Sequence, residues 1–285
     1  MSRSAKSASR APAVLVIAAT DSSGGAGLTR DVRALSDFSV DALCVVTAVT
    51  AQSDRRVTAV HHVPPEIIRA QITGAFATRP IGAIKVGMLG TAATVEAVVQ
   101  GLAAAAARTL VSMAPATPTA SAAPTTPGPP IVVDPVLVST SGGVLLDAGG
   151  RAALLERLFP RAALVTPNVP EVAALLGESV AVDEAELIEQ GRCLLKYGPA
   201  AVLLKGGHAT GENAVDLLIR GPQEAIERIL SERQSGSSRG TGCALATAIA
   251  AGLAIGKSLP EACREAKSYV LQMLGGKPTR APSLG

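Results

Sequence analysis

The sequence predicts an α/β fold: a mainly parallel central sheet with helices on both faces, in a single domain. Three observations carry this expectation. Apolar runs such as Ala13 to Ala19 (AVLVIAA) have no polar face, the pattern of a strand covered on both sides. Amphipathic helical stretches separate these runs, and strand, crossover helix, strand repeated in this way builds parallel pairs. The pattern also resumes unchanged after a Pro-rich interruption, which argues for one domain. With 285 residues, 48% of them hydrophobic, wholesale disorder is excluded and one full core is feasible.

Taken in order, residues 1–12 (MSRSAKSASRAP) are Ser/Ala-rich and basic and are expected to form a disordered tail. The folded unit is expected over 13–275, with a short C-terminal tail at 276–285. After the strand at Ala13 to Ala19 come a Gly-rich turn and a helix near Leu28 to Phe38. Further strands are expected at Leu43 to Val49, Ile81 to Val86, Ile131 to Val133, Ala162 to Val165, Ala201 to Leu204 and Ala214 to Leu218. Helices are expected near Pro65 to Thr78, Ala92 to Ala107, Asp147 to Phe159 and Val169 to Leu176, then Glu184 to Tyr197, Thr241 to Ala254 and Pro260 to Met273. The stretch Met113 to Pro130 holds six prolines, a density that no helix survives, and reads as a surface insertion (113–130).

Several function classes drop out on composition. The net charge of +3 comes from Arg3, Lys6 and Arg10 in the first ten residues; without them 23 cations balance 23 anions. A nucleic-acid partner needs a charged folded face and stacking aromatics, and only two Tyr, three Phe and no Trp are present. The longest weakly polar stretch, Ala244 to Ile255, spans about 12 residues where a membrane helix needs ~20. No secretory leader pattern opens the chain. Cys44, Cys193, Cys243 and Cys263 form no CxxC pair, and His61, His62 and His208 show no zinc spacing. Reduced thiols in a cytoplasmic protein are expected, with Cys44, Cys193 and Cys263 as small core residues.

Ligands of such sheets bind beyond the carboxyl ends of the strands, and the distinctive motifs all follow strands. Thr20-Asp21-Ser22-Ser23-Gly24-Gly25-Ala26-Gly27 fits neither a dinucleotide fingerprint nor a Walker loop. It suits either a close backbone approach to a ligand or an ordinary tight turn. Arg239-Gly240-Thr241-Gly242-Cys243 opens a helix, where free N–H groups and the helix dipole make an anion cradle. The same field is expected to favour the Cys243 thiolate. In Thr166-Pro167-Asn168-Val169-Pro170-Glu171, Asn168 and Glu171 could hold the water shell of Mg²⁺ or simply cap the helix. Asp134 ends one apolar strand, with Val136 following, and Lys205 ends another.

In this order the pieces resemble the hydroxymethylpyrimidine/phosphomethylpyrimidine kinases of thiamine biosynthesis, within the ribokinase-like superfamily. The markers are DSSGGAG with Asp31, TAVTAQ ending at Gln52, KVGMLG with Met88, DPV, TPNVPE, LLKGGH and GTGC. The resemblance implies ATP-dependent phosphorylation of 4-amino-5-hydroxymethyl-2-methylpyrimidine and then of its monophosphate. It implies that Asp31 and Gln52 hydrogen-bond the ring and that Ala19, Ala26, Met88 and Val136 shape its pocket. Gly240, Thr241 and Gly242 would hold the moving phosphoryl group, with Cys243 as catalytic base. Lys205, Asn168 and Arg239 would meet ATP phosphates, and Glu171 and Asp134 would serve Mg²⁺. Arg239 stands where the family often has His, so a guanidinium there could reach phosphate directly. A homodimer is common among similar kinases. Related kinases of pyridoxal-type vitamers or of hydroxyethylthiazole, and a non-catalytic pyrimidine sensor, are the alternatives.

Overall fold

The computed structural model describes residues 13–113, 128–139, 142–206, 213–221, 224–232 and 239–275. The basic tail, the C-terminal tail, His208 and most of the Pro-rich insertion predicted above lie outside these residues. Strand β1 (Ala13–Ala18) is buried along its whole length. Leu15 and Ile17 join one core, while Val14, Val16 and Ala18 join another on the opposite face. Two covered faces are the physical reason for a strand without a polar side.

From β1 the chain passes through α1 (Gly27–Asp37) to β2 (Asp41–Val46) and then leaves the main sheet. A hairpin follows, β3 (Ala48–Gln52) and β4 (Val57–His62), before α2 (Pro65–Thr78), β5 (Ala83–Val86) and α3 (Ala92–Met113). Next come β6 (Ile131–Val133), α4 (Ala148–Ala153), β7 (Leu164–Val165), α5 (Val169–Leu176) and α6 (Glu184–Leu195). Strands β8 (Val202–Leu204), β9 (Asn213–Ile219) and β10 (Glu227–Glu232) precede α7 (Thr241–Ala254) and α8 (Leu259–Leu274).

The main sheet runs β10-β9-β8-β7-β6-β5-β1-β2. All pairs from β2 to β8 are parallel, and β9 and β10 add antiparallel pairs at one edge. Helices α2, α3, α5 and α6 bury one face, and α1, α7 and α8 the other, so the predicted class holds. Among the described residues no helix is long and apolar enough to cross a membrane.

Four expectations need correction. The single strand predicted over Leu43 to Val49 is two, broken at Thr47, whose buried hydroxyl donates to the Met88 carbonyl at 2.7 Å. That bond turns the chain out of the sheet and starts the hairpin. The helix predicted over Asp147 to Phe159 is α4, a π turn at Leu154–Leu158 and a 3₁₀ turn at Phe159–Arg161. Strands β4 and β10 were not foreseen. Cys44 is exposed rather than core because β2 is a sheet edge, and Cys193 on α6 is half-buried; among the three only Cys263 is buried. All four thiols are free. Gln71 of α2 closes the β2 edge by accepting the Val46 N–H at 2.9 Å and donating to the Val46 carbonyl at 3.1 Å.

Candidate active site

The carboxyl ends of β1, β5, β6 and β8 open into one cavity of about 780 Å³. The turn after β1 forms one wall. Buried Asp21 organises it, accepting the N–H groups of Ser23 and Ala26, each at 2.9 Å, and the Ser23 hydroxyl at 2.7 Å. Gly27 ends the turn at φ +58°, and a methyl there would lie 2.5 Å from the Ala19 carbonyl. Only glycine fits that corner.

Opposite this turn, α7 begins at Gly240, which has φ +75° and no side-chain cap. The first helical bond runs from Ala244 N–H to the Gly240 carbonyl at 2.9 Å. The N–H groups of Thr241, Gly242 and Cys243 therefore lack intrahelical acceptors, and these three residues line the cavity. A methyl at Gly242 would lie 3.2 Å from Lys205 Nζ, so the helix start and the cation adjoin. The Cys243 thiol does not behave as the helix field alone predicted. Burial pushes its pKa up to about 11, although the Lys85 ammonium and the Gly27 N–H pull the other way.

Lys205 donates to Asp134 Oδ1 at 2.9 Å and lies 3.7 Å from Glu171 Oε2. Burial opposes its charge, but Asp134 and Glu171 outweigh that and raise its pKa. Burial likewise works against Asp134, yet Lys205 and Lys85 hold its carboxyl below the usual value; for Glu171 burial wins and raises it. Asn168 and Glu171 form a capping box on α5: each side chain accepts the other's backbone N–H at 2.8 Å. Of the two readings open for this pair, the cap is realised. Asp134 Oδ2 and Glu171 Oε1 carry no hydrogen bond among the described residues and remain available to a cation.

Ala19, Ala26, Gln52, Met88 and Val136 all line the cavity. Ser22 fastens Gln52 there, its hydroxyl donating to the Gln52 carbonyl and accepting the Gln52 N–H, both at 2.8 Å. Asp31 does not join them. It points from α1 into the core, where Lys85 Nζ donates to one oxygen at 2.9 Å and the Thr247 hydroxyl to the other at 2.7 Å. With both oxygens engaged and no exposure, it has nothing to offer a ring. Arg239 lies at the rim, but its guanidinium is turned to Asp21, Ser23 and the hairpin rather than the cradle.

Sequence reasoning missed Lys85, Asp216 and Lys267, which also line the cavity. Two carry a readable signal: Lys85 in AIKV and Asp216 in NAVDLLI are charges inside otherwise apolar strands. Asp216 accepts the Gly206 N–H at 3.0 Å and the Lys267 ammonium at 2.7 Å. Beyond them α8 contributes Val270, Leu271 and Leu274 to an apolar extension of the cavity. No group of three or more His, Cys, Asp or Glu able to hold a metal occurs among the described residues. Any metal here would depend on one or two carboxylates with water and ligand oxygens.

The phosphomethylpyrimidine kinase family model matches residues 21–118 and 117–281. A hydroxymethylpyrimidine/phosphomethylpyrimidine kinase of Rhizobium meliloti is 40% identical over 257 residues, covering 90% of this chain and 88% of its own length. The solved phosphomethylpyrimidine kinase of Clostridium difficile shares 31% identity and a TM-score of 0.74, over 92% of this chain and 99% of that one. The pyridoxal kinase of Staphylococcus aureus, solved with AMP-PCP and pyridoxal, shares 26% identity and a TM-score of 0.77, over 93% and 88%.

Proposed function

The chain belongs to the phosphomethylpyrimidine kinase family, and on that premise we propose a two-step reaction for it. The ATP γ-phosphoryl passes first to 4-amino-5-hydroxymethyl-2-methylpyrimidine and then to the resulting monophosphate, in thiamine biosynthesis. One observation carries this reading: the bare N–H groups of α7, the Lys205 ammonium and the ring-lining residues converge on a single cavity. Phosphoryl transfer asks a protein for positioning and charge neutralisation more than for covalent help, and this cavity offers both.

Each group has a role that its surroundings support. The N–H groups of Thr241, Gly242 and Cys243 receive the phosphoryl oxygens, at ~2.7–4 kcal/mol per preorganised donor. Cys243 Sγ, once deprotonated to the thiolate, accepts the hydroxyl proton as the new O–P bond forms and the bond to the departing ADP oxygen breaks; burial opposes that thiolate in the free protein. Lys205 neutralises nucleotide phosphates, which compete for it with Asp134 and Glu171. The Gln52 amide donates and accepts, matching an amino group beside a ring nitrogen. Asp134 and Glu171 would hold Mg²⁺ together with water and phosphate oxygens, and the ion would shield phosphate charge. A homodimer remains part of the proposal through the family alone.

The test is ADP release with the aminopyrimidine, its monophosphate and pyridoxal in parallel. Turnover of both pyrimidines above that of pyridoxal is expected. Faster turnover of pyridoxal would overturn the substrate assignment.

A further inference from the structure

Among the described residues, four cations line the cavity: Lys85, Lys205, Lys267 and Arg239. The first three each answer a carboxylate that is at most 3% exposed, namely Asp31, Asp134 and Asp216. Lys85 and Lys267 are thereby balanced within the fold, and Lys205 is assigned to the nucleotide phosphates. Arg239 differs, because its two carboxylates are unequal. Nη2 donates to Asp21 at 3.2 Å, and Asp21 is 2% exposed; Nη1 donates to Asp54 at 3.0 Å, and Asp54 is 84% exposed. Nη1 also donates to the Ser53 carbonyl and the Ser23 hydroxyl, both at 3.0 Å. The inner anchor is a buried charge pair that is costly to break. The outer bond is a solvated ion pair with a stability contribution near zero.

A neutral alcohol substrate brings no charge to this side of the cavity, whereas its phosphate monoester brings about two negative charges. Asp21, Asp134 and Glu171 already line the cavity, and a dianion beside them needs a cation whose partner can be displaced. We propose that Arg239 is the residue that recognises the phosphate monoester. Anchored by Asp21, it exchanges Asp54 and Ser53 for phosphate oxygens, a planar fork well matched to two of them. It thereby sets the preference for the second phosphorylation over the first. The assignment rests on the two-step reading above.

The experiment compares kcat/KM for the monophosphate with kcat/KM for the alcohol in the full chain and in R239Q, R239K and D54N. In R239Q the ratio is expected to fall tenfold or more, carried by KM for the monophosphate. R239K keeps a point charge and should recover part of the loss. D54N removes the competing carboxylate and should raise the ratio about two- to fivefold, a change opposite in sign to that of a weakened fold. If R239Q does not fold by circular dichroism, D54N and R239K decide, and a D54N ratio equal to or below that of the unaltered chain overturns the proposal. Equal losses on both substrates in a folded R239Q also overturn it. An unaltered chain that turns over neither pyrimidine takes down the functional reading together with this one. Turnover of both with an unmoved ratio in the variants sinks only this one.

Discussion

At Cys243 opposing effects act on one sulfur. Burial raises its pKa to about 11, and the Lys85 charge and the Gly27 N–H only partly offset it. An unperturbed thiol titrates near ~8.5, so at neutral pH the free protein holds this group protonated. If it serves as base, kcat/KM should keep climbing from pH 8 to pH 10 instead of levelling near pH 8.5; a plateau below pH 9 would assign the proton to another group. Cys243→Ala should lower turnover by ~10²–10⁴ in a coupled ADP-release assay while nucleotide affinity by calorimetry changes little. Unchanged turnover would remove the sulfur from the mechanism. The motif made Cys243 legible in sequence, but its protonation was not, since that depends on Asp31, Asp134 and Lys85 brought from three other elements. Asp31 illustrates the same gap: a carboxylate following a glycine turn resembles a ligand until Lys85 and Thr247 are seen to occupy it.

Elements with a period were legible, and elements without one were not. Helices α2, α5 and α7 match their expected bounds because prolines and glycines mark their starts. The hairpin escaped because β4 is exposed at five of its six positions and so shows no apolar alternation. Strand β10 buries only Ile229 and Ser231, too weak a stripe to read. For α5 the spacing Asn-x-x-Glu allowed a cap or a metal shell, and the local geometry realises the cap. Asn168→Ala should therefore destabilise the fold by about 1 kcal/mol, read as a lower urea midpoint. A midpoint shift well below half of that would mean that the N-cap bond contributes little.

For the whole molecule, two opposite faces of apolar side chains follow directly from runs such as AVLVIAA, which is why the layer order was predictable. The broken continuity at Thr47 was not, since its bond to Met88 spans 41 residues. The fold also raises two thiols, Cys243 in the cavity wall and buried Cys263, with Cys263 pushed up to about 12 by burial and by Glu227 and Asp216. Unfolded thiols lose their protons near ~8.5, so above that pH the unfolded chain binds fewer protons than the folded one and stability falls. Tm should stay level below pH 8 and decline toward pH 10.5, and Cys263→Ala should make the decline shallower whatever its starting Tm. An equally steep decline would locate the lost protons elsewhere. The trio Asp31, Lys85 and Thr247 joins α1, β5 and α7 across these layers with both charges wholly buried. Removing either charge alone strands the other at a cost of ~3–5 kcal/mol, whereas an apolar pair of similar volume can be neutral. Descendants of this chain can thus reach an uncharged solution only by a double step, which ties positions 31 and 85 together as a single heritable trait.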